Sequence, residues 1–109
     1  MLKISDQLTF IFDPGHGWLR VPLADIAALG IEGDISEYSF IDGSFAYHSA
    51  ALTTCLEEDC DYAVFVAACD AHKVPLPEIR DRYVERFDRD RPRFGDPRFS
   101  PEFWNKLRR

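Results

Sequence analysis

Four acids in five positions, Glu57, Glu58, Asp59 and Asp61, stand directly before the apolar run Tyr62 to Ala68. This stretch limits the fold more tightly than any other. Carboxylates gathered there belong at the start of a helix, where the first-turn N–H groups lack partners and the dipole is positive. Tyr62, Phe65, Val66 and Cys69 then recur at i, i+3, i+4 and i+7, which predicts an amphipathic helix over 60–72. Asp59 or Asp61 is its expected cap. The ordinary use of such a cluster is a capped, solvated helix start. Its sharper use is a surface for a cation, for guanidinium groups or for a basic protein face.

Elements before and after this point follow from turn chemistry and period. Gln7 to Phe12 is dense in β-branched and aromatic residues and ends at Asp13-Pro14-Gly15, so residues 7 to 21 are expected to form a hairpin, with Trp18 to Val21 returning. Pro22 to Leu29 reads as a short helix closed by Gly30. Ile35 to Ile41 and Phe45 to His48 are strand candidates joined at Asp42-Gly43. Residues 49 to 56 fit a helical turn, an excursion or a strand equally. Beyond Pro75 and Pro77, the stripe Ile79, Tyr83 and Phe87 predicts a helix over 77–88, followed by a loop to Ser100. Ser100 is the expected N-cap of a last short helix over 101–107, docked by Phe103, Trp104 and Leu107.

The fold class expected is therefore α+β: one domain over 1–109, a small antiparallel sheet of about four strands in two hairpins, and two to four short helices. With 46% hydrophobic and 14% aromatic residues, the chain does not have the composition of a disordered polypeptide. Cys55, Cys60 and Cys69 match neither a CxxC pair nor a zinc ribbon and are odd in number, which points to a reducing compartment. No apolar run approaches the ~20 residues of a spanning helix, and the N-terminus lacks a signal-peptide core. A soluble, cytoplasmic protein with no membrane partner is expected.

Charge is divided along the chain. Twelve acids against two bases give residues 1–72 a net charge of −10, whereas 73–109 carry +4 and end in an arginine-rich segment over 89–109. The acidic body repels nucleic acid and attracts basic surfaces. The repeat Pro92-Arg93-Phe94 and Pro97-Arg98-Phe99 has the residue types that stack bases and pair phosphates. Its arginines are interleaved with Asp88, Asp90 and Asp96, so pairing with the acidic body is the expected use, and direct nucleic-acid binding is not.

Catalytic candidates are few. His16 lies between Gly15 and Gly17 on the turn, where Asp13 could orient its ring for general-base or metal-ligand work. No nucleophile can be named beside it, and no P-loop, dinucleotide fingerprint, EF-hand or His-Glu-x-x-His pattern occurs. No catalytic residue, metal ligand or cofactor is assigned. The candidate binding residues are Glu57, Glu58, Asp59, Asp61, Glu37, Asp42, His16 and Trp18.

The segments Phe12-Asp13-Pro14-Gly15-His16-Gly17-Trp18-Leu19, Leu29-Gly30-Ile31, Ile35 to Phe40 and Leu56-Glu57-Glu58-Asp59-Cys60-Asp61 together resemble a group of small uncharacterised proteins carried by bacterial phages and plasmids. That group shares a Pro-Gly-His-Gly turn and a Glu-Glu-Asp-Cys-Asp motif. The resemblance spans roughly residues 10 to 70 and departs at Tyr47, where this chain inserts His48 to Cys55. It implies a mobile-element origin and no established activity. The function expected is a small acidic interaction protein that binds and inhibits a host nucleic-acid-handling defence machine, in the manner of anti-CRISPR or anti-restriction proteins. Its partner would be a host protein with a basic nucleic-acid-binding face. The alternatives are a metal-assisted hydrolase using His16 with Glu57, Glu58 and Asp59, and a nucleic-acid-binding accessory domain. Oligomeric state is left open.

Overall fold

The computed structural model describes residues 2–42 and 52–108. Gln7–Phe12 (β1) and Gly17–Pro22 (β2) pair antiparallel as a hairpin, with Phe10 opposite Leu19 and Ile11 opposite Trp18. Its turn is held by Asp13, whose Oδ1 accepts the N–H groups of Gly15 at 3.0 Å and His16 at 2.8 Å. Pro22 leads into Leu23–Leu29 (α1), and Gly30, at φ 71°, supplies the left-handed residue that ends it. Phe40–Asp42 (β3), Thr53–Glu57 (β4), Asp61–Ala71 (α2), Glu78–Tyr83 (β5) and Pro101–Leu107 (α3) complete the α+β fold. Ser100 caps α3 as expected, accepting the Phe103 N–H.

The five strands run in the order β3-β4-β2-β1-β5. Register assigns the two faces. Leu8, Leu19, Val21, Leu56 and Ile41 share one face and form the main core with Ile26 of α1 and Phe65 of α2; Trp104 of α3 joins from behind α1. Ile11, Trp18, Cys55 and Phe40 share the opposite face, where they form a smaller cluster with Phe87. That second face is crossed by the chain after β5. Val84 N–H donates to Phe12 O, Phe87 stacks on Trp18, and Ile41 N–H donates to Pro92 O before Phe94 enters the main core. Residues 84–94 thus form a strap from the β5 edge to the β3 edge.

Three expectations are corrected. The helix expected over 77–88 is instead the strand β5, parallel to β1 with Leu8 opposite Ile79 and Phe12 opposite Tyr83, so the sheet is mixed. Ile79, Asp81 and Tyr83 alternate with Arg80 and Arg82, and the open edge of β1 selects this period over the helical one. The strand expected over 35–41 is reduced to its last two residues plus Asp42, because Ser36 and Ser39 are drawn into a turn by Asp61. β3 pairs with β4, and the strand candidate Phe45 to His48 and the Asp42-Gly43 hairpin lie outside the described residues. Finally, neither Asp59 nor Asp61 caps α2: the N-cap position is Cys60, with no side-chain hydrogen bond.

Among the described residues no helix is long and apolar enough to cross a membrane.

Candidate functional site

The acidic run occupies the corner where β4 ends and α2 begins, and the corner sends its carboxylates in different directions. Glu57 is the last residue of β4, opposite Trp18 on β2, and so faces the strap side. Glu58 follows on the other side, its N–H bonded to Gly17 O at 3.1 Å. Asp59 is exposed, and its N–H is held by Glu57 Oε2 at 2.9 Å. Asp61 turns inward and is 2% exposed. It accepts the Ser36 N–H at 3.0 Å, the Ser36 hydroxyl at 2.6 Å and the buried Ser39 hydroxyl, while Ser39 Oγ in turn accepts the Glu57 N–H at 3.0 Å. Asp61 is therefore the knot that ties the 36–39 turn to the start of α2, and not an interface residue.

On the strap side a groove of about 340 Å³ opens beside the corner. Trp18, Phe40 and Tyr38 supply its apolar lining, Glu57 and Asp59 its acids, and His16, Arg89 and Arg93 the remainder, with Cys60 at the corner. The arginines lie over the rings, the Arg89 guanidinium carbon 5.3 Å from the Trp18 centroid and that of Arg93 5.2 Å from the Phe40 centroid. Trp18 itself is covered, with Phe87 stacked at 3.9 Å. Its indole N–H is buried without a hydrogen-bond partner among the described residues. Trp18 was a candidate for direct contact; it forms the floor beneath Arg89 and Phe87.

His16 is exposed, but the geometry around it differs from a catalytic arrangement. Asp13 uses its oxygens on the backbone N–H groups of Gly15, His16 and Phe87, leaving the imidazole to Arg89, whose guanidinium lies 3.1 Å from Nδ1. A guanidinium can only donate, so in this contact Nδ1 is placed as the acceptor. Burial pushes the Asp13 carboxyl up, yet the three N–H bonds and Arg89 outweigh it and hold it below the ordinary carboxylate range. The Cys60 thiol is pushed up by burial, by its bond to Glu57 and by the neighbouring carboxylates, which disfavours a nucleophilic thiolate. All three cysteines are free, and no group of three or more His, Cys, Asp and Glu side chains among the described residues is placed to hold a metal ion.

The other candidates are dispersed. Asp42 is half-buried between Arg20 and Arg91, with which it forms ion pairs, so it is not available as surface charge. Glu37 is exposed in a separate recess with Arg93 and Asp96, its carbonyl accepting from Arg93 at 3.1 Å. The arginine-rich segment does fold back on the acidic body: Arg89 meets Asp13 at 3.7 Å, Arg91 meets Asp42 and Arg108 meets Glu32. Glu57, Glu58 and Asp59 have no ion-pair partner among the described residues.

The residues that sequence reasoning passed over are Tyr38, Phe40, Arg89 and Arg93 in the groove, and Phe10, Tyr62 and Asp81 on the far side of the corner. Strand register places Phe40, Phe10 and Asp81 there, the 36–39 turn Tyr38, the start of α2 Tyr62, and the strap Arg89 and Arg93. Comparison of the chain with family models, with curated proteins and with solved structures finds no match.

Proposed function

We propose that the protein is a non-enzymatic interaction protein that presents its carboxylate corner to the basic, nucleic-acid-binding face of a host protein and so obstructs it. One observation carries this reading. Glu57 and Asp59 on the strap side and Glu58 on the other side of the same strand–helix corner have no ion-pair partner among the described residues, while Arg89, Arg91 and Arg108 are committed to Asp13, Asp42 and Glu32. A dense anionic corner steers encounter with a positive groove meant for phosphates. The resemblance to phage- and plasmid-borne proteins suggests the kind of target, a host defence machine of the class that anti-CRISPR and anti-restriction proteins disable.

The test is capture of partners from host lysate at 0.1 M and 1 M salt, where the Debye length falls from ~10 Å to ~3 Å. A partner held at low salt, released at high salt, displaced by added nucleic acid and lost to the triple variant Glu57→Gln, Glu58→Gln, Asp59→Asn is the expected result. A partner retained at both salts and alongside its nucleic acid refutes the reading and leaves a hydrophobic interface in its place.

A further inference from the structure

On the helix-covered face, at the β5 end of the sheet, four rings form a row. Tyr62 meets Phe10 edge to face at 5.8 Å, Phe10 lies offset from Phe12 at 6.3 Å, and Phe12 meets Tyr83 edge to face at 5.4 Å. Position 81 interrupts this row: Ile79 and Tyr83 continue the apolar face of β5, but between them, opposite Phe10, stands Asp81. Phe10, Tyr62 and Ile79 line a cavity of about 310 Å³ whose remaining lining residues are Asp81 and the corner's Glu58. Neither acid has an ion-pair partner among the described residues, and both are exposed.

From this arrangement we propose that the cavity is a receptor for one arginine side chain of a partner polypeptide. Two carboxylates on different elements attract a cation, and the rings offer it π faces that water does not. The guanidinium suits this lining better than an ammonium does. It is planar, stacks on aromatic rings, is weakly hydrated and carries donors along both edges to reach two acceptors, whereas lysine brings a strongly hydrated point charge. Ile79 contacts the aliphatic stem. The Tyr62 hydroxyl is pushed up by burial and by Asp81, so the phenol stays neutral. Gly17 helps to shape the wall, since a Cβ there would fall 2.2 Å from the Phe10 ring and 3.0 Å from Glu58 Oε2. The inference extends the reading above, because a basic partner would supply such a side chain, but the cavity can be probed without that partner.

The experiment is a titration of the whole, ¹⁵N-labelled chain with capped arginine, followed by its amide spectrum, with capped citrulline and capped lysine as controls. Saturable shifts centred on Glu58, Tyr62, Ile79 and Asp81, absent with neutral citrulline and weaker with lysine, are expected. Glu58→Gln and Asp81→Asn keep shape at exposed positions, and each should weaken the arginine complex by about 2- to 5-fold, the range an exposed ion pair carries. Shifts equal for citrulline, or unmoved by both substitutions, overturn the proposal; lysine binding as tightly as arginine overturns the guanidinium assignment. A captured host partner unaffected by Asp81→Asn would remove the cavity from the interface while leaving the corner's role intact. Arginine binding without any salt-sensitive partner would do the reverse.

Discussion

Asp61→Ala should be the most damaging single change in the acidic run. In the folded chain one carboxylate, 2% exposed, accepts three hydrogen bonds: the Ser36 N–H, the Ser36 hydroxyl and the Ser39 hydroxyl. Truncation strands the Ser39 hydroxyl, which is fully buried and also anchors the Glu57 N–H. A buried donor without an acceptor costs about 1–3 kcal/mol, and the two partly buried Ser36 donors add roughly 0.5–1 kcal/mol each. The sum is about 2 to 5 kcal/mol, a large share of the ~5–15 kcal/mol that holds a domain folded.

For a chain of 109 residues, an unfolding entropy of about 2.1 cal/mol/K per residue converts this loss to a fall in Tm of roughly 9 to 22 °C. Asp59→Ala and Glu58→Ala remove only exposed carboxylates and should stay within about 0.5 kcal/mol of the parent. Thermal unfolding of the three variants by circular dichroism reads this directly. In a double-mutant cycle, Ser39→Ala and Asp61→Ala should couple by about 1–2 kcal/mol, because each removes what the other satisfies. An Asp61→Ala loss below about 1 kcal/mol, or an equal loss for Asp59→Ala, would refute the assignment of Asp61 as the buried tie.

Gly17→Ala should destabilise by about 1–3 kcal/mol, since its methyl would press into the Phe10 ring at 2.2 Å; an unchanged urea midpoint would show that the ring moves aside freely. Phe87→Ala should cost about 3–5 kcal/mol and shift tryptophan emission to the red as Trp18 loses the ring stacked on it at 3.9 Å; unaltered emission would mean that the strap does not cover Trp18. Asp13 has its pKa lowered in the folded state, so its stabilisation is present above the unfolded carboxylate value of about 3.9 and is lost as pH falls through the lower folded value. A Tm profile between pH 2 and 6 should therefore show a shallower acid limb for Asp13→Asn, and superimposable limbs would dismiss the Asp13 contribution.

What the sequence disclosed about the fold was local. Asp13-Pro14-Gly15 announced the first hairpin, Gly30 ended α1, the stripe from Tyr62 to Cys69 marked α2, and Ser100 with Pro101 marked α3; each signal acts within a few residues of the structure it specifies. β5 failed that condition. Ile79 and Tyr83 lie four apart, a spacing that serves a helical stripe and a strand face alike, and the deciding contact is with β1, some seventy residues earlier in the chain. The acidic run posed the same difficulty in smaller compass. Asp59 and Asp61 are both plausible caps beside a helix start, and only the serines at 36 and 39 single out Asp61.

Candidate-site residues follow the same logic of distance. Trp18 and Glu57 oppose one another because β2 and β4 pair, yet the sequence before Glu57 supports strand and helix equally, so that register was not readable. Once β4 is a strand, the period of two separates neighbours that look equivalent in the motif: Glu57 faces the strap with Trp18, and Glu58 faces Phe10 and Tyr62. The run is therefore not one acidic patch. Its fourth acid, Asp61, ties the corner from inside, while Glu57 with Asp59 and Glu58 with Asp81 line two different surfaces. Under the proposed function, then, a partner would have to present basic groups to both of these surfaces for all three unpaired acids of the run to take part.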